Sequence, residues 1–300
     1  MSNEIVAVVV TYNRKDLLKQ NLQALLNQQN VRADVFVVDN ASNDGTEQMI
    51  RDEFDCSEIH YFNTGANLGG AGGFQYGVRE AIKADYKYVW IMDDDTVPNH
   101  DSLCKLYDAA KLLPDNWGAL SSKALWTDES VCKANRQKKT LMSFVTDEEY
   151  SKGSPIKVEM ASFVSLLVKA EVISKIGLPI GEYFIWTDDY EFTGRINRAG
   201  YGVYVIPDSV VHHKMKENKK INFAKETPDR IDRYKYVYRN DVHCYKQYGL
   251  RGNFYLFAKI AFTVLNILIK SPSDKKKKIK ILFDGIREGK SFNPSIEFVS

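Results

Sequence analysis

The chain has 300 residues, of which 44% are hydrophobic and 27% charged, and its formal net charge is +2. That profile belongs to a globular protein with room for one large α/β domain and an appendage, and it excludes a disordered chain. So balanced a charge gives no footing for nucleic acid, although four lysines run together at 275–278.

Residues 5–10 (IVAVVV) are a continuous, mostly β-branched run, as expected of a strand buried on both faces. Residues 15–27 predict an amphipathic helix with Leu17, Leu18, Leu22, Leu25 and Leu26 on one side. A strand follows at 34–38, a helix at 44–54, a short strand at 59–62, a helix at 73–84 and a strand at 88–92 that ends at Asp93. This alternation means right-handed βαβ units and a mostly parallel sheet with helices on both faces. Open sheets of this kind bind ligands beyond the C-terminal ends of their strands. Three polar clusters fall there: Thr11-Tyr12-Asn13-Arg14, Asp39-Asn40-Ala41-Ser42 and Asp93-Asp94-Asp95.

The middle of the chain carries a weaker pattern. Residues 126–150 are polar and lysine-rich, which predicts a variable loop or short hairpin near an acceptor. A strand is predicted over 158–169, a helix over 170–176 ended by Gly177, and a strand over 201–206 with 210–213 close behind. From 230 onward tyrosines crowd a helical stretch, followed by an apolar helix near 254–269 and the lysine run. The expected division is a domain of 1–225 and a helical appendage of 226–300. The apolar stretch falls short of the ~20 residues that a spanning helix needs. Two readings of 254–290 stand side by side: peripheral contact with a membrane surface, or a core helix beside a solvated basic loop.

Cys56, Cys104, Cys132 and Cys244 are scattered, with no CxxC pair. Idle thiols in a reducing compartment are expected. No signal-peptide pattern precedes the first strand, which points to the cytoplasm, at the inner face of the plasma membrane.

Asp93, Asp94 and Asp95 repel one another unless a cation sits among them. Mg²⁺ or Mn²⁺ suits such oxygen ligands and a shared diphosphate; a solvated turn is the plainer alternative. Asn67-Leu68-Gly69-Gly70-Ala71-Gly72-Gly73-Phe74 opens the third helix, where backbone N–H groups can approach a phosphate. It is neither a phosphate-binding loop of the GK[ST] kind nor a dinucleotide fingerprint. Trp186-Thr187-Asp188-Asp189-Tyr190-Glu191 is a second acidic cluster. One of its carboxylates would serve as a base toward a hydroxyl, with Trp186 as a stacking wall; acidic residues that merely start a helix are the alternative. His212 and His213 add a candidate imidazole ligand.

These elements, in this order, resemble the family-2 glycosyltransferases of the GT-A fold, over about residues 4 to 215: VVVTYNR, VVDNASNDGT, NLGGAGGF, WIMDDDT, WTDDYEF and VHH. Within that family the glycine-rich element and triple aspartate look most like bacterial galactofuranosyltransferases and rhamnosyltransferases. The resemblance implies a donor-nucleotide pocket of Thr11, Asn13, Arg14, Asp39, Asn67, Gly69, Gly70, Gly72, Gly73 and Asp94. It implies metal ligands Asp93, Asp95 and His213, with His212 as a near rival. Asp189 resembles the base, with Asp188 and Glu191 orienting hydroxyls and Trp186 facing the acceptor. The implied activity is inverting, Mn²⁺- or Mg²⁺-dependent transfer of one sugar from a nucleotide-diphospho-sugar to a glycan or lipid-linked glycan. UDP-galactofuranose is the first donor and dTDP-rhamnose the alternative. Rivals of other classes are a sugar-nucleotide pyrophosphorylase, which should carry a glycine-rich basic loop where this chain has TYNRKD, and a non-catalytic sugar- or lipid-binding relative.

Overall fold

A computed structural model describes residues 4–54, 57–219 and 222–299; Cys56 lies outside them. Strands β1 (Ile5–Thr11), β2 (Asp34–Asp39), β3 (Ile59–Asn63) and β4 (Tyr88–Asp93) form a parallel array in the order β3-β2-β1-β4. The β-branched run of β1 is buried on both sides. Ala7 and Val9 meet Leu18, Leu22 and Leu25 of α1 (Lys15–Leu26), and with them Ile50 of α2 (Thr46–Glu53) and Leu103 and Leu106 of α4 (Ser102–Leu112). Val6, Val8 and Val10 meet Phe74, Val78 and Ala81 of α3 (Gly69–Lys83).

Past β4 the strand directions are mixed. β10 (Leu166–Lys169) lies antiparallel between β4 and β6 (Trp117–Leu125). β11 (Gly202–His213) runs parallel to β6, with β5 (Thr96–Pro98) antiparallel at its far end and β9 (Ile156–Val158) antiparallel near its start. Two predicted elements change here. The strand expected over 158–169 is two, β9 and β10, and the pieces at 201–206 and 210–213 are the single strand β11. Its register slips between Ile206 and Val210, at Pro207, which has no N–H for the ladder. Residues 126–150 contain a hairpin, β7 (Lys138–Thr140) and β8 (Ser143–Phe144), and then α5 (Asp147–Ser151), started by a reciprocal cap between Thr146 and Glu149.

The helix predicted from residue 73 starts at Gly69. This places its glycines inside the helix, where they serve packing. A Cβ on Gly73 would lie 2.5 Å from Val10 Cγ1, and one on Gly77 2.4 Å from Val8 Cγ1. Gly69, at φ +72°, would meet the Phe184 carbonyl oxygen at 2.1 Å. Gly70 alone of the four predicted donor-site glycines faces open space.

The C-terminal helices α8 (Tyr234–Lys246), α9 (Gly249–Lys270) and α10 (Lys275–Ser291) share a small core of Phe223, Ile231, Tyr234, Tyr238, Ile267 and Leu282. α10 meets α8 backbone to backbone, since Cβ atoms on Gly285 and Gly289 would each come within 2.7 Å of an α8 carbonyl oxygen. The tail then returns to the first domain: Arg79 grips Glu297 through two bonds of 2.6 Å, and Leu178 N–H donates to the Glu297 carbonyl at 2.8 Å. The reading of the apolar helix as a core helix is overturned, because only Gly252 and Ile267 of its 22 residues are buried. Its length was also underestimated: α9 is long and apolar enough to cross a membrane by length and composition.

Gly77→Ala tests the glycine assignment. The added methyl must displace Val8 or Val38, so urea unfolding should show a loss of about 1–3 kcal/mol.

Candidate active site

The site is built where β4 and β11 end and β5 begins. β4 delivers Asp93, the turn after it carries Asp94 and Asp95, and β5 pairs with the end of β11 so that His213 lies opposite Thr96. Lys214 N–H donates to the Asp95 carbonyl at 2.8 Å and closes the ladder. As a result, ligand atoms of Asp93, Asp95 and His213 lie within 4.8 Å of one another. His212, on the other face of the strand, pairs with Glu129 at 3.0 Å, which separates the two histidines by the alternation of β-structure.

Charge balance tests whether a cation fits. His213 Nδ1 lies 2.8 Å from Asn135 Oδ1, an acceptor, so Nδ1 carries the hydrogen. Nε2 then presents its lone pair, or a second proton, to Asp95 Oδ1 at 2.9 Å. Asp95 Oδ1 is buried and, among the described residues, has no other hydrogen-bond donor. Burial alone would keep the ring neutral, yet Asp95 and Asp93 carry its pKa up to about 10. Asp93 is pushed up to about 7 by burial and then by repulsion from Asp95, and Asp94 to about 6 by burial against the pull of Arg14. Two carboxylates and an imidazole that jointly demand positive charge form a suitable donor set for Mn²⁺ or Mg²⁺.

The first two strand-end loops are laced together beside this cluster. Thr11 Oγ1 donates to Asp94 at 2.8 Å, and Arg14 reaches Asp95 at 2.8 Å and Asp94 at 3.3 Å. Asn13, at φ 53°, accepts from Asn43 N–H, and its own N–H donates to Ser42. Asp39 is fully buried, accepting from Ser42 N–H at 2.8 Å and from Tyr61 Oη at 2.7 Å. Asn67 Oδ1 accepts from Gly69 N–H and shapes the turn into α3. The first N–H groups of that helix are not all free, since Ala71 N–H donates to the Phe184 carbonyl at 3.2 Å.

The second acidic cluster opens α7 (Asp188–Arg198), whose first turn also holds Asp189 and Glu191. Asp188 is pushed up to about 6 by burial, opposed by backbone N–H groups at the helix start. Asp189 is held well above the ordinary carboxylate range by burial first, then by Asp188, and also by Asp93. The two acidic clusters therefore share one electrostatic neighbourhood. Two predicted roles need correction. Glu191 is buried with its two oxygens on Arg195 (3.0 Å) and Arg198 (3.4 Å), and Arg195 also holds the carbonyls of Ile176 and Leu178. Such a carboxylate clamps α7 and orients no substrate hydroxyl. Trp186 is partly buried against Tyr234, ring centroids 5.0 Å apart, so it joins the C-terminal helices to the site and is no free stacking wall.

Sequence reading missed two residues that brace the site. Asn135 lay in a segment without a pattern. Asn240 lay in a helix with nothing to mark it, yet its fully buried amide donates to the carbonyls of Tyr183, Ile185 and Trp186 at 2.9–3.0 Å. It holds a loop in which Phe184, Trp186 and Thr187 all have positive φ, costly for residues other than glycine. Beside it, Asp241 accepts from Thr187 Oγ1 and pairs with Lys259 of α9.

A sheet of this topology, with two carboxylates and an imidazole gathered at its strand ends, is shared with known sugar-transferring proteins. A profile of the family described as Glycosyl transferase family 2 matches residues 6–120. Galactofuranosyltransferase GlfT1 of Mycobacterium tuberculosis is 28% identical over 84% of this chain and 85% of its own length. The dTDP-rhamnosyl transferase RfbF of Shigella flexneri is 24% identical over 96% and 97%. The structure of GalNAc-T7 with UDP, GalNAc and Mn²⁺ superposes at a TM-score of 0.64 and 14% identity over 94% of this chain, which spans 54% of that larger one. The mannosyltransferase PcManGT of Pyrobaculum calidifontis, with GDP-Man and Mn²⁺, gives 0.57 and 16% over 98% and 76%. Residues 6–120 are thus similar to glycosyltransferase family 2, and the chain shares the fold of these solved glycosyltransferases.

Both braces are testable. Asn135→Ala frees His213 to rotate, and calorimetry should find Mn²⁺ binding weakened by about 10–100-fold with the fold intact. Asn240→Ala leaves buried carbonyls short of a donor, and chemical denaturation should record a loss of about 1–3 kcal/mol.

Proposed function

We propose that this protein transfers a single sugar, with inversion, from a nucleotide-diphospho-sugar to a hydroxyl of a glycan or lipid-linked glycan, using Mn²⁺ or Mg²⁺. The observation that carries the proposal is the convergence of Asp93, Asp95 and His213 at the strand ends, their ligand atoms within 4.8 Å of one another. Asp93, Asp95 and His213 would hold the ion. When bound, it neutralises the charge gathering on the departing diphosphate. Asn135 keeps the His213 ring in register with Asp95. Thr11, Asn13, Arg14, Asp39 and Asp94 line the donor side, with Asn67 and the uncrowded Gly70 at the opening of α3.

Asp189 takes the proton from the acceptor hydroxyl as its oxygen attacks the anomeric carbon. Asp188, at the same helix start, raises the proton affinity of Asp189 and so makes it a stronger base. One displacement, with no covalent sugar on the protein, inverts the anomeric centre. Residues 1–225 hold the donor site and the base, and 226–300 brace the loop before the base and face the acceptor's carrier. The similarity to galactofuranosyltransferases favours UDP-galactofuranose as donor, with dTDP-rhamnose second. A relative named N-acetylglucosaminyl-diphospho-decaprenol L-rhamnosyltransferase, 27% identical over 71% of this chain, supports a lipid-linked acceptor.

A panel of sugar nucleotides assayed for released nucleotide identifies the donor. Asp189→Asn should lower turnover by ~10²–10⁴-fold at saturating donor and acceptor, while retaining donor binding. Because only the ionised carboxylate accepts a proton and its pKa is raised, wild-type activity should climb with pH through a limb well above pH ~4, the ordinary carboxylate range. A variant that keeps near wild-type turnover would remove Asp189 from the mechanism.

A further inference from the structure

Helix α9 has two unlike sides. Phe254, Phe257, Phe262, Leu265, Leu268 and Ile269 are all exposed, the three phenylalanines at 68%, 70% and 65%. At 100° per residue these side chains share one arc of about 140°. The opposite arc holds Ile267, buried in the C-terminal core, with Ile260 and Val264 packed against it. Lys259, near the middle, reaches inward to the buried Asp241 at 2.6 Å.

Charge is gathered beside the apolar arc. Residues 246–290 contain eleven lysines and arginines against three acids, a net of +8. The whole chain is +2, so everything else sums to −6. Lys275, Lys276 and Lys277 occupy the first turn of α10, which holds no acid of its own; Lys277 bridges Asp232 at 3.1 Å, while Lys275 and Lys276 are exposed. Cations at the positive end of a helix dipole are unfavourable within the fold itself, and an external layer of anions offsets that cost.

We propose that the outer arc of α9, with the lysine-rich start of α10, docks on a membrane leaflet rich in anionic lipid. The helix lies along the headgroup–acyl boundary, with its basic neighbours among the headgroups. This deepens the reading of the acceptor as lipid-linked. Spanning is disfavoured although the length suffices: inserting α9 across a bilayer would strip Lys259 from Asp241 and expose the packed arc. A second copy of the chain is disfavoured as the occupant, because it would bring two strongly basic faces together. Docking here also serves the chemistry. Tyr255 and Leu256 on the inner side of α9 pack in one cluster with Tyr190, the neighbour of Asp189. A carrier lipid held at the outer side would thus present its glycan close to the base.

The test is co-sedimentation of the full chain with vesicles of phosphatidylcholine alone and of phosphatidylcholine with phosphatidylglycerol. Wild type should bind the anionic vesicles, release from them in high salt, and bind the neutral ones weakly. The Phe254→Glu, Phe262→Glu, Leu265→Glu triple variant alters only exposed positions; it should keep the wild-type melting profile and lose at least ~10-fold in partitioning. Lys275→Glu with Lys276→Glu should abolish the preference for phosphatidylglycerol. The proposal is overturned if wild type ignores anionic vesicles or the triple variant binds them undiminished. It is also overturned if light scattering finds a wild-type dimer that the triple variant turns into a monomer. Metal-dependent donor hydrolysis, measured on the same preparations, reports on the catalytic reading independently.

Discussion

Asp95 Oδ1 and His213 Nε2 sit 2.9 Å apart, while the other imidazole nitrogen is committed to Asn135. Two lone pairs cannot face each other at that distance inside a protein without positive charge between them. The sheet exists in its present form to make that meeting happen. β5 has three residues and buries little, but pairing it with the end of β11 sets His213 opposite Thr96 and thus beside Asp95. The change to mixed strand directions after β4 is what lets β11 arrive from the far side of the sheet.

The same logic extends to the proposed base. Asp189 lies in the first turn of a helix whose approach loop carries three positive-φ residues, and α8 holds that loop from outside through Arg239, Asn240 and Asp241. The C-terminal helices are therefore part of the site's framework as well as an appendage. Their attachment is polar and specific at the inner face, whereas the outer face of α9 is apolar and open. One helix bundle thus contacts two very different surroundings.

Much of this was legible in the residues. The parallel half announced itself through continuous β-branched strands and period-3.6 helices, and the acidic and glycine-rich elements stood at strand ends where ligands bind. The rest failed for identifiable reasons. β6 (WGALSSKAL) mixes glycine, serines and lysine, and no periodicity betrays a strand whose neighbours bury it on both sides. The glycines of α3 looked like a phosphate cradle, but Gly73 and Gly77 are required by the close approach of a helix to β1. Glu191 looked like a site carboxylate until two arginines were found on it, four and seven residues further along α7. Asn135 and Asn240 act only through distant partners, and a lone asparagine carries no trace of such partners in the sequence.

The tail clasp between Arg79 and Glu297, together with the hold of Asn240 on the loop before Asp189, has a consequence for biogenesis. Chains fold largely from the N-terminus as they leave the ribosome. The β3-β2-β1-β4 array can close early from local βαβ contacts, but the loop before the base waits for residue 240, and the clasp for residue 297. A chain still short of residue 240 therefore has the residues of the β3-β2-β1-β4 strands but not the asparagine that holds the loop before Asp189.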